Sequence, residues 1–252
     1  TNLIGTVNIL EAVRCTNHVK SIVNITTDKC YENKEWIWPY RETDALGGHD
    51  PYSASKACAE LAVSSYRSSF FVDNGVHVAS VRAGNVIGGG DWASQRLIPD
   101  FFRAVDIGDT LSIRSPRSIR PWQHVLEPLF GYLLLAERLV EQGEAFATSW
   151  NFGPNDEDTK SVAWMADHLC SRLPGARWKT DSTKQLHEAM ILKLDSSKAK
   201  IGLGWSPRWN IETALNQTVL WHQAWKERED LDDLTSRQIL DFTCVNNLEI
   251  SR

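Results

Sequence analysis

Ser21-Ile22-Val23-Asn24-Ile25, then Asp50-Pro51-Tyr52 opening a helical pattern that runs to about Phe71, then Val76-His77-Val78-Ala79-Ser80-Val81: this stretch decides the fold. The first and last segments are short, β-branched and apolar, as strands buried on both faces of a parallel sheet are. Between them, Asp50 is an N-cap and Pro51 fits the first helical position, where its missing N–H costs nothing. Strand, helix, strand is a βαβ unit, and in such units ligands sit beyond the carboxyl ends of the strands.

Working outward, Leu3, Val7, Leu10 and Val13 mark an amphipathic helix over 3–17 that begins at the first residue, so the chain reads as a fragment cut inside a helix. Residues 30–49 mix Trp, Pro, Gly and charge without period; loops of that length in compact domains are usually functional. Beyond Gly88-Gly89-Gly90 the elements shorten: helices over 95–107, 125–141, 160–173 and 211–228, strands near 111–114 and 149–153, and an acidic, then polar tail after 229 expected to fray or dock loosely. The fold class is α/β: a partial parallel sheet with a smaller mixed α/β region, the sheet read over residues 1–88 and the smaller region over 89–252, with 115–156 partly returning to the first.

The 252 residues are 42% hydrophobic and 23% charged, enough for one sizeable core or two unequal ones. A net charge of -5 without a Lys/Arg block excludes a nucleic-acid footprint. Five cysteines with no Cys-x-x-Cys pair and no zinc-like His spacing predict free thiols, no metal and a cytoplasmic location. The apolar runs fall short of the roughly 20 residues a membrane span needs.

Two polar groups carry chemistry. Tyr52 and Lys56 stand four apart, one helical turn on the same face. At ~4 Å and an effective dielectric near 20 their attraction is of order 4 kcal/mol, enough to favour a tyrosinate and make Tyr52 a general base. Taken alone, the pair equally fits an ordinary exposed helix surface. Thr26-Thr27-Asp28-Lys29 lies just past the predicted strand, and such a run alone is often turn chemistry. Placed at adjoining strand ends, the two groups would face one cleft.

These residues resemble the extended short-chain dehydrogenase/reductase family. The resemblance covers nearly the whole chain: Asn2 through Ala12 resembles its fourth Rossmann helix; Thr27, Tyr52 and Lys56 its catalytic Ser/Thr, Tyr and Lys; Arg82-Ala83-Gly84-Asn85-Val86-Ile87-Gly88 its Arg-x-x-Asn-x-x-Gly segment; and Leu203-Gly204-Trp205-Ser206-Pro207 its Leu-Gly-Trp-x-Pro. Thr27 through Asn33, with Gly88-Gly89-Gly90-Asp91-Trp92, is similar to the branch that dehydrates CDP-glucose; dTDP-glucose enzymes carry Asp-Glu after the Thr, where this chain has Asp28-Lys29. The resemblance implies NAD as cofactor, contacted by Thr26, Tyr52 and Lys56, and catalysis by Thr27, Asp28, Lys29, Tyr52 and Lys56. Asp28 would be the acid and Lys29 the carbon 5 base, which requires a neutral amine through burial or the Lys56 charge; alternatively Asp28 only pairs with Lys29. It further implies a nucleotide-sugar substrate, CDP-glucose, held by Asn85, Arg96 and Arg120, although the two arginines also suit a solvated surface. A homodimer or higher homo-oligomer is implied as well. His124 reads as a packed or solvent histidine.

The family's Gly-rich turn, which brings backbone to the cofactor pyrophosphate, does not occur in these residues, and Gly88-Gly89-Gly90 lacks the following helix and acidic ribose ligand to replace it. The chain by itself is therefore expected to be inactive. Two rivals remain open: another nucleotide-sugar 4,6-dehydratase or 4-epimerase, and a non-catalytic nucleotide-binding Rossmann protein, whose mark would be a broken catalytic set.

Overall fold

The computed structural model describes residues 1–16, 18–181 and 190–244. Along the chain come α1 (Asn2–Arg14), β1 (Ser21–Ile25), a 3-10 turn (Asp28–Cys30), α2 (Pro51–Tyr66) with a π-helical extension (Arg67–Phe71), β2 (His77–Ala83), β3 (Val86–Ile87), α3 (Leu97–Asp106) and β4 (Leu111–Ile113). There follow β5 (Ile119–Arg120), β6 (Gln123–His124), α4 (Leu126–Gln142), β7 (Ser149–Phe152), β8 (Lys160–Ser161), α5 (Val162–Arg172), β9 (Trp178–Thr180), α6 (Ser197–Leu203), α7 (Ile211–Glu227) and α8 (Leu231–Cys244). They form two compact units: Thr1–Gly84, Pro128–Gly153 and Leu192–Ser206 in the first, and Asn85–Glu127, Pro154–Ile191 and Pro207–Arg252 in the second.

The first unit is built on a parallel sheet of order β1-β2-β7, Ser21 pairing with His77 at one end and Ala83 with Phe152 at the other. Successive side chains of a strand point to opposite faces, and β2 divides its residues accordingly. Val78 joins Leu10, Val13, Val63 and Phe71 beneath α1 and α2, while Ala79 and Val81 join Leu135, Leu139, Trp150, Phe152 and Trp205 beneath α4 and α6. Ser80 and Arg82 share the parity of Val78 and reach Glu60 of α2. The expected start of α2 is made by Asp50, whose Oδ1 accepts from the backbone N–H of Tyr52 (2.9 Å) and of Ser53 (3.0 Å). The long 30–49 segment packs rather than floats: Tyr31 and Tyr40 stack at 5.2 Å, Tyr40 pairs with Leu194, and Cys30, Ala57 and Leu192 complete that small core.

The second unit holds small strand pairs, β3 with β6 and β4 with β9 in parallel and β5 with β8 antiparallel. Its core is Ile98, Phe101 and Phe102 of α3, Trp122, Met165 and Leu169 of α5, and Ile211, Leu215 and Val219 of α7.

The tail corrects the sequence reading. Residues 231–244 form α8, with Leu234, Gln238 and Phe242 at 7%, 5% and 2% exposure. A stripe with a glutamine among so few apolar residues gives a weak signal. What holds the helix is tertiary: Phe242 meets Trp209 edge-on at 5.2 Å, and the Arg208 guanidinium lies 5.2 Å from the same ring and donates to the Phe242 carbonyl. Helix α6, closed by Gly204 at φ 66, was not anticipated either. Asn17, the last position of the first predicted helix, and tail residues 245–252 lie outside the described residues.

Candidate active site

Strand β1 ends at Ile25, and the chain passes through Thr26 into the 3-10 turn Asp28–Cys30, capped by Thr27, whose Oγ1 accepts from Lys29 N at 3.4 Å and donates to Asp28 Oδ1 at 3.0 Å. Thr26, Thr27 and Asp28 are buried and Lys29 is exposed. The burial that the carbon 5 role led one to expect of Lys29 is therefore not provided by this chain. The N-terminal turns of α2 pack against this 3-10 turn. Lys56 reaches across to donate its Nζ to the carbonyl of Ile25 at 3.3 Å, tying the Tyr52–Lys56 face to the end of β1. Tyr52, 48% exposed, keeps its phenol open to solvent. The structure thus brings the hydroxyl–carboxyl–amine run and the helix that carries phenol and ammonium to one strand end of the first unit.

Sequence reasoning passed over Glu60. It stands one further turn along α2 from Lys56, 3% exposed, and accepts from Thr26 Oγ1 (2.5 Å), Ser80 Oγ (2.6 Å), Arg82 Nε (2.9 Å) and Arg82 Nη2 (2.8 Å). Burial alone would raise its carboxyl, but the Arg82 hydrogen bonds and charge, with Ser80 and Thr26, outweigh that and hold it below the ordinary carboxylate value. Arg82 also donates to Tyr31 OH (2.8 Å), which donates to Asn151 Oδ1 (2.7 Å). The signal for Glu60 was its spacing: positions 52, 56 and 60 form one helical row, and an acid on the buried side of a helix requires a partner. On α4, the Tyr132 hydroxyl is pushed up by burial and by the charge of Asp28, so it stays a neutral phenol.

The three proposed substrate contacts belong to the second unit. Asn85 precedes β3, its carbonyl accepting from Gln123 N at 3.0 Å. Arg96 occupies the cap position of α3, exposed and 3.5 Å from Asp91. Arg120 is 5% exposed, its Nη1 donating to the carbonyl of Ile119 at 2.9 Å. His124 takes the packed alternative: it is 3% exposed, Nδ1 accepts from Leu126 N, the ring lies 4.9 Å from Trp209, and burial holds it down to about 4. Among the described residues no group of His, Cys, Asp and Glu is placed to hold a metal ion, and no helix is long and apolar enough to cross a membrane.

A parallel sheet flanked by helices, with a Thr at a strand end and a Tyr-x-x-x-Lys helix beside it, defines the Rossmann-type dehydratases and epimerases. The fold agrees with solved members: dTDP-glucose 4,6-dehydratase from Bacillus anthracis in complex with NAD (TM-score 0.74, 24% identity, 93% of this chain and 70% of that one); and UDP-glucuronic acid 4-epimerase from Bacillus cereus in complex with UDP-glucuronic acid and NAD (TM-score 0.77, 17% identity, 89% and 68%). The family model described as GDP-mannose 4,6 dehydratase matches residues 1–218, and the chain belongs to that family. Over 248 residues it is 51% identical to CDP-glucose 4,6-dehydratase of Salmonella typhimurium, covering 96% of this chain and 69% of the relative.

Proposed function

We propose that the protein is a lyase converting CDP-glucose to CDP-4-keto-6-deoxyglucose. The observation that carries the reading is the Lys56 Nζ to Ile25 carbonyl contact, since it brings the general-base helix to the Thr27-Asp28-Lys29 run. The 51% identity to a CDP-glucose 4,6-dehydratase supports the nucleotide.

The groups present suit the nicotinamide ribose of NAD: the open Tyr52 phenol and the Lys56 ammonium, which spends one of its three N–H donors on Ile25, match a ribose diol. NAD, when bound, would supply a hydride acceptor for carbon 4 and a hydride donor for carbon 6, so the net oxidation would be zero. Thr27 orients the carbon 4 hydroxyl and Tyr52 takes its proton, with the Lys56 ammonium one turn away on the same helix face. The ketone at carbon 4 acidifies the hydrogen on carbon 5, which Lys29 removes, while Asp28 protonates the hydroxyl leaving carbon 6 as water; carbon 5 takes the proton back from Lys29 as carbon 6 gains the hydride, and the proton that Tyr52 took replaces, through solvent, the one Asp28 gave up. Lys29 is exposed on the chain alone, and the bound sugar would cover it. Asn85, Arg96 and Arg120 hold the sugar-phosphate and diphosphate in this reading, Arg through paired N–H donors.

In the same reading residues 1–88 carry the cofactor side and 89–252 the nucleotide sugar, with 115–156 partly returning. The protein works in the cytoplasm, which its free cysteines suit. It is a homodimer or higher homo-oligomer, for which exposed Ile4, Ile9 and Leu61 (62%, 62% and 59%) on α1 and α2 offer apolar surface.

The test is to incubate the full-length protein with CDP-, dTDP-, UDP- and GDP-glucose and follow the alkali-induced absorbance of a 4-keto sugar. Accumulation with CDP-glucose ahead of the others is expected; a 4-epimer with no keto sugar, or no conversion of any of the four, overturns the reading.

A further inference from the structure

We infer that Glu60 is a positioning residue of the same site: through Thr26 it fixes the end of β1 against the helix face that presents Tyr52 and Lys56. The inference rests on the dehydratase reading above.

The inference grows out of the geometry around α2. Tyr52, Lys56 and Glu60 are spaced by four, so phenol, ammonium and carboxylate stand in one row along α2. The two outer members of the row have opposite environments: Tyr52 is 48% exposed and Glu60 is 3% exposed. Glu60 Oε1 accepts from Thr26 Oγ1 at 2.5 Å, and Thr26 immediately precedes Thr27. The carboxylate is itself immobilised by a two-point contact with Arg82 on the central strand, 2.9 Å to Nε and 2.8 Å to Nη2; Ser80 and Ser149 also donate to it. Arg82 continues the chain to Tyr31 and to the Glu42 carbonyl in the loop beyond the 3-10 turn.

The carboxylate therefore joins the helix that carries the base to the strand end that carries Thr27, Asp28 and Lys29. Fork-to-fork Arg–carboxylate contacts resist both translation and rotation, so the Arg82 fork holds α2 on β2, and the bond from Thr26 extends that hold to the end of β1. Lys56 Nζ on the Ile25 carbonyl is the second tie between the same two elements. Proton removal from a sugar hydroxyl needs Thr27 and Tyr52 at hydrogen-bond separation from one oxygen, and a misplacement on the order of 1 Å costs up to about a hundredfold in rate. Because the bond from Thr26 lies behind the reacting groups, its loss acts on turnover and spares the diphosphate contacts that govern substrate binding.

Replacing Glu60 would strand the buried Arg82 charge and endanger folding, so the bond is cut from its other end. In the full-length protein, Thr26→Val keeps the shape and the Glu60–Arg82 pair but removes the hydroxyl; Thr26→Ser restores it. Ser80→Ala removes a different donor to the same carboxylate and leaves the strand end tied. Expected are a kcat lower by about tenfold for Thr26→Val with KM for CDP-glucose and for NAD within about threefold of wild type, recovery to within about threefold for Thr26→Ser, and near-wild-type kcat for Ser80→Ala. Unchanged kcat in Thr26→Val, an equal fall in Ser80→Ala, or a loss confined to KM for NAD overturns the inference, the last by making Thr26 a plain cofactor contact. Wild-type protein that makes no keto sugar sinks the functional reading and the inference with it; wild-type turnover that ignores Thr26→Val sinks the inference alone.

Discussion

At the scale of single residues, the division of labour among Thr27, Asp28, Lys29 and Tyr52 makes separable predictions. On the proposed roles, Tyr52→Phe takes away the general base and is expected to lower kcat by roughly 10²- to 10⁴-fold, with carbon 4 oxidation in a single turnover slowed to match. Lys29→Met is expected to abolish exchange of the carbon 5 hydrogen with deuterated solvent while leaving carbon 4 oxidation intact; exchange that persists removes Lys29 from the mechanism. Two buried groups away from these residues set a pH dependence of stability. Glu127 accepts backbone hydrogen bonds from Arg208 and Trp209, yet burial outweighs them and pushes it up to about 7. Its protonated form stabilises the fold fully below about 4.5, and that contribution, of the order of 3 kcal/mol at most, is lost as pH rises through about 7. His124, held down to about 4 by burial, has the opposite sign: its contribution is present above about 6.5 and lost as pH falls through about 4. The two oppose each other in mildly acidic solution. Glu127→Gln, which mimics the protonated form, is therefore expected to gain Tm relative to wild type as pH rises from about 5 to about 7, and a difference between the two proteins that does not change with pH would remove Glu127 from the pH dependence.

At the scale of elements, close approach and late docking are the features that composition hides. A Cβ at Gly131 would lie 2.3 Å from the Phe152 ring, so α4 approaches β7 only because the residue there is glycine. Gly131→Ala is expected to lower stability by about 1–3 kcal/mol in urea unfolding through forced displacement of helix or ring. Helix α8 depends on Phe242 in the same way. Truncation to Ala leaves a cavity beside Trp209 costing about 3 kcal/mol, and the α8 amides should lose hydrogen-exchange protection before those of α7. Equal protection in both helices would mean that α8 stands without that ring.

At the scale of the whole molecule, the chain alternates between its two compact units, entering the first three times. Neither unit is a continuous stretch, so a cut anywhere between residues 85 and 206 leaves pieces of both on each side. The proposed homo-oligomer has its own check: light scattering of the full-length protein is expected to give at least twice the monomer mass, and paired Ile4→Glu and Leu61→Glu changes on the exposed faces of α1 and α2 should return it to monomer. A monomeric wild type would leave those residues as ordinary surface.

The sequence by itself determined the βαβ unit, the capped start of α2 and the row of Tyr52 and Lys56, because strand burial, N-capping and helical spacing act over a few neighbouring residues and leave periodic marks. It also determined the polar run after β1, legible as chemistry through its position at a strand end. Only the tertiary structure decided what Thr26 bonds to, that Glu60 and Arg82 lock α2 to the sheet, that Lys29 stays exposed, and that α8 exists as a packed helix. Those facts depend on partners 20 or more residues away in the chain. Burial, which sets the charge of Glu127 and His124, belongs to the three-dimensional neighbourhood and has no period to read.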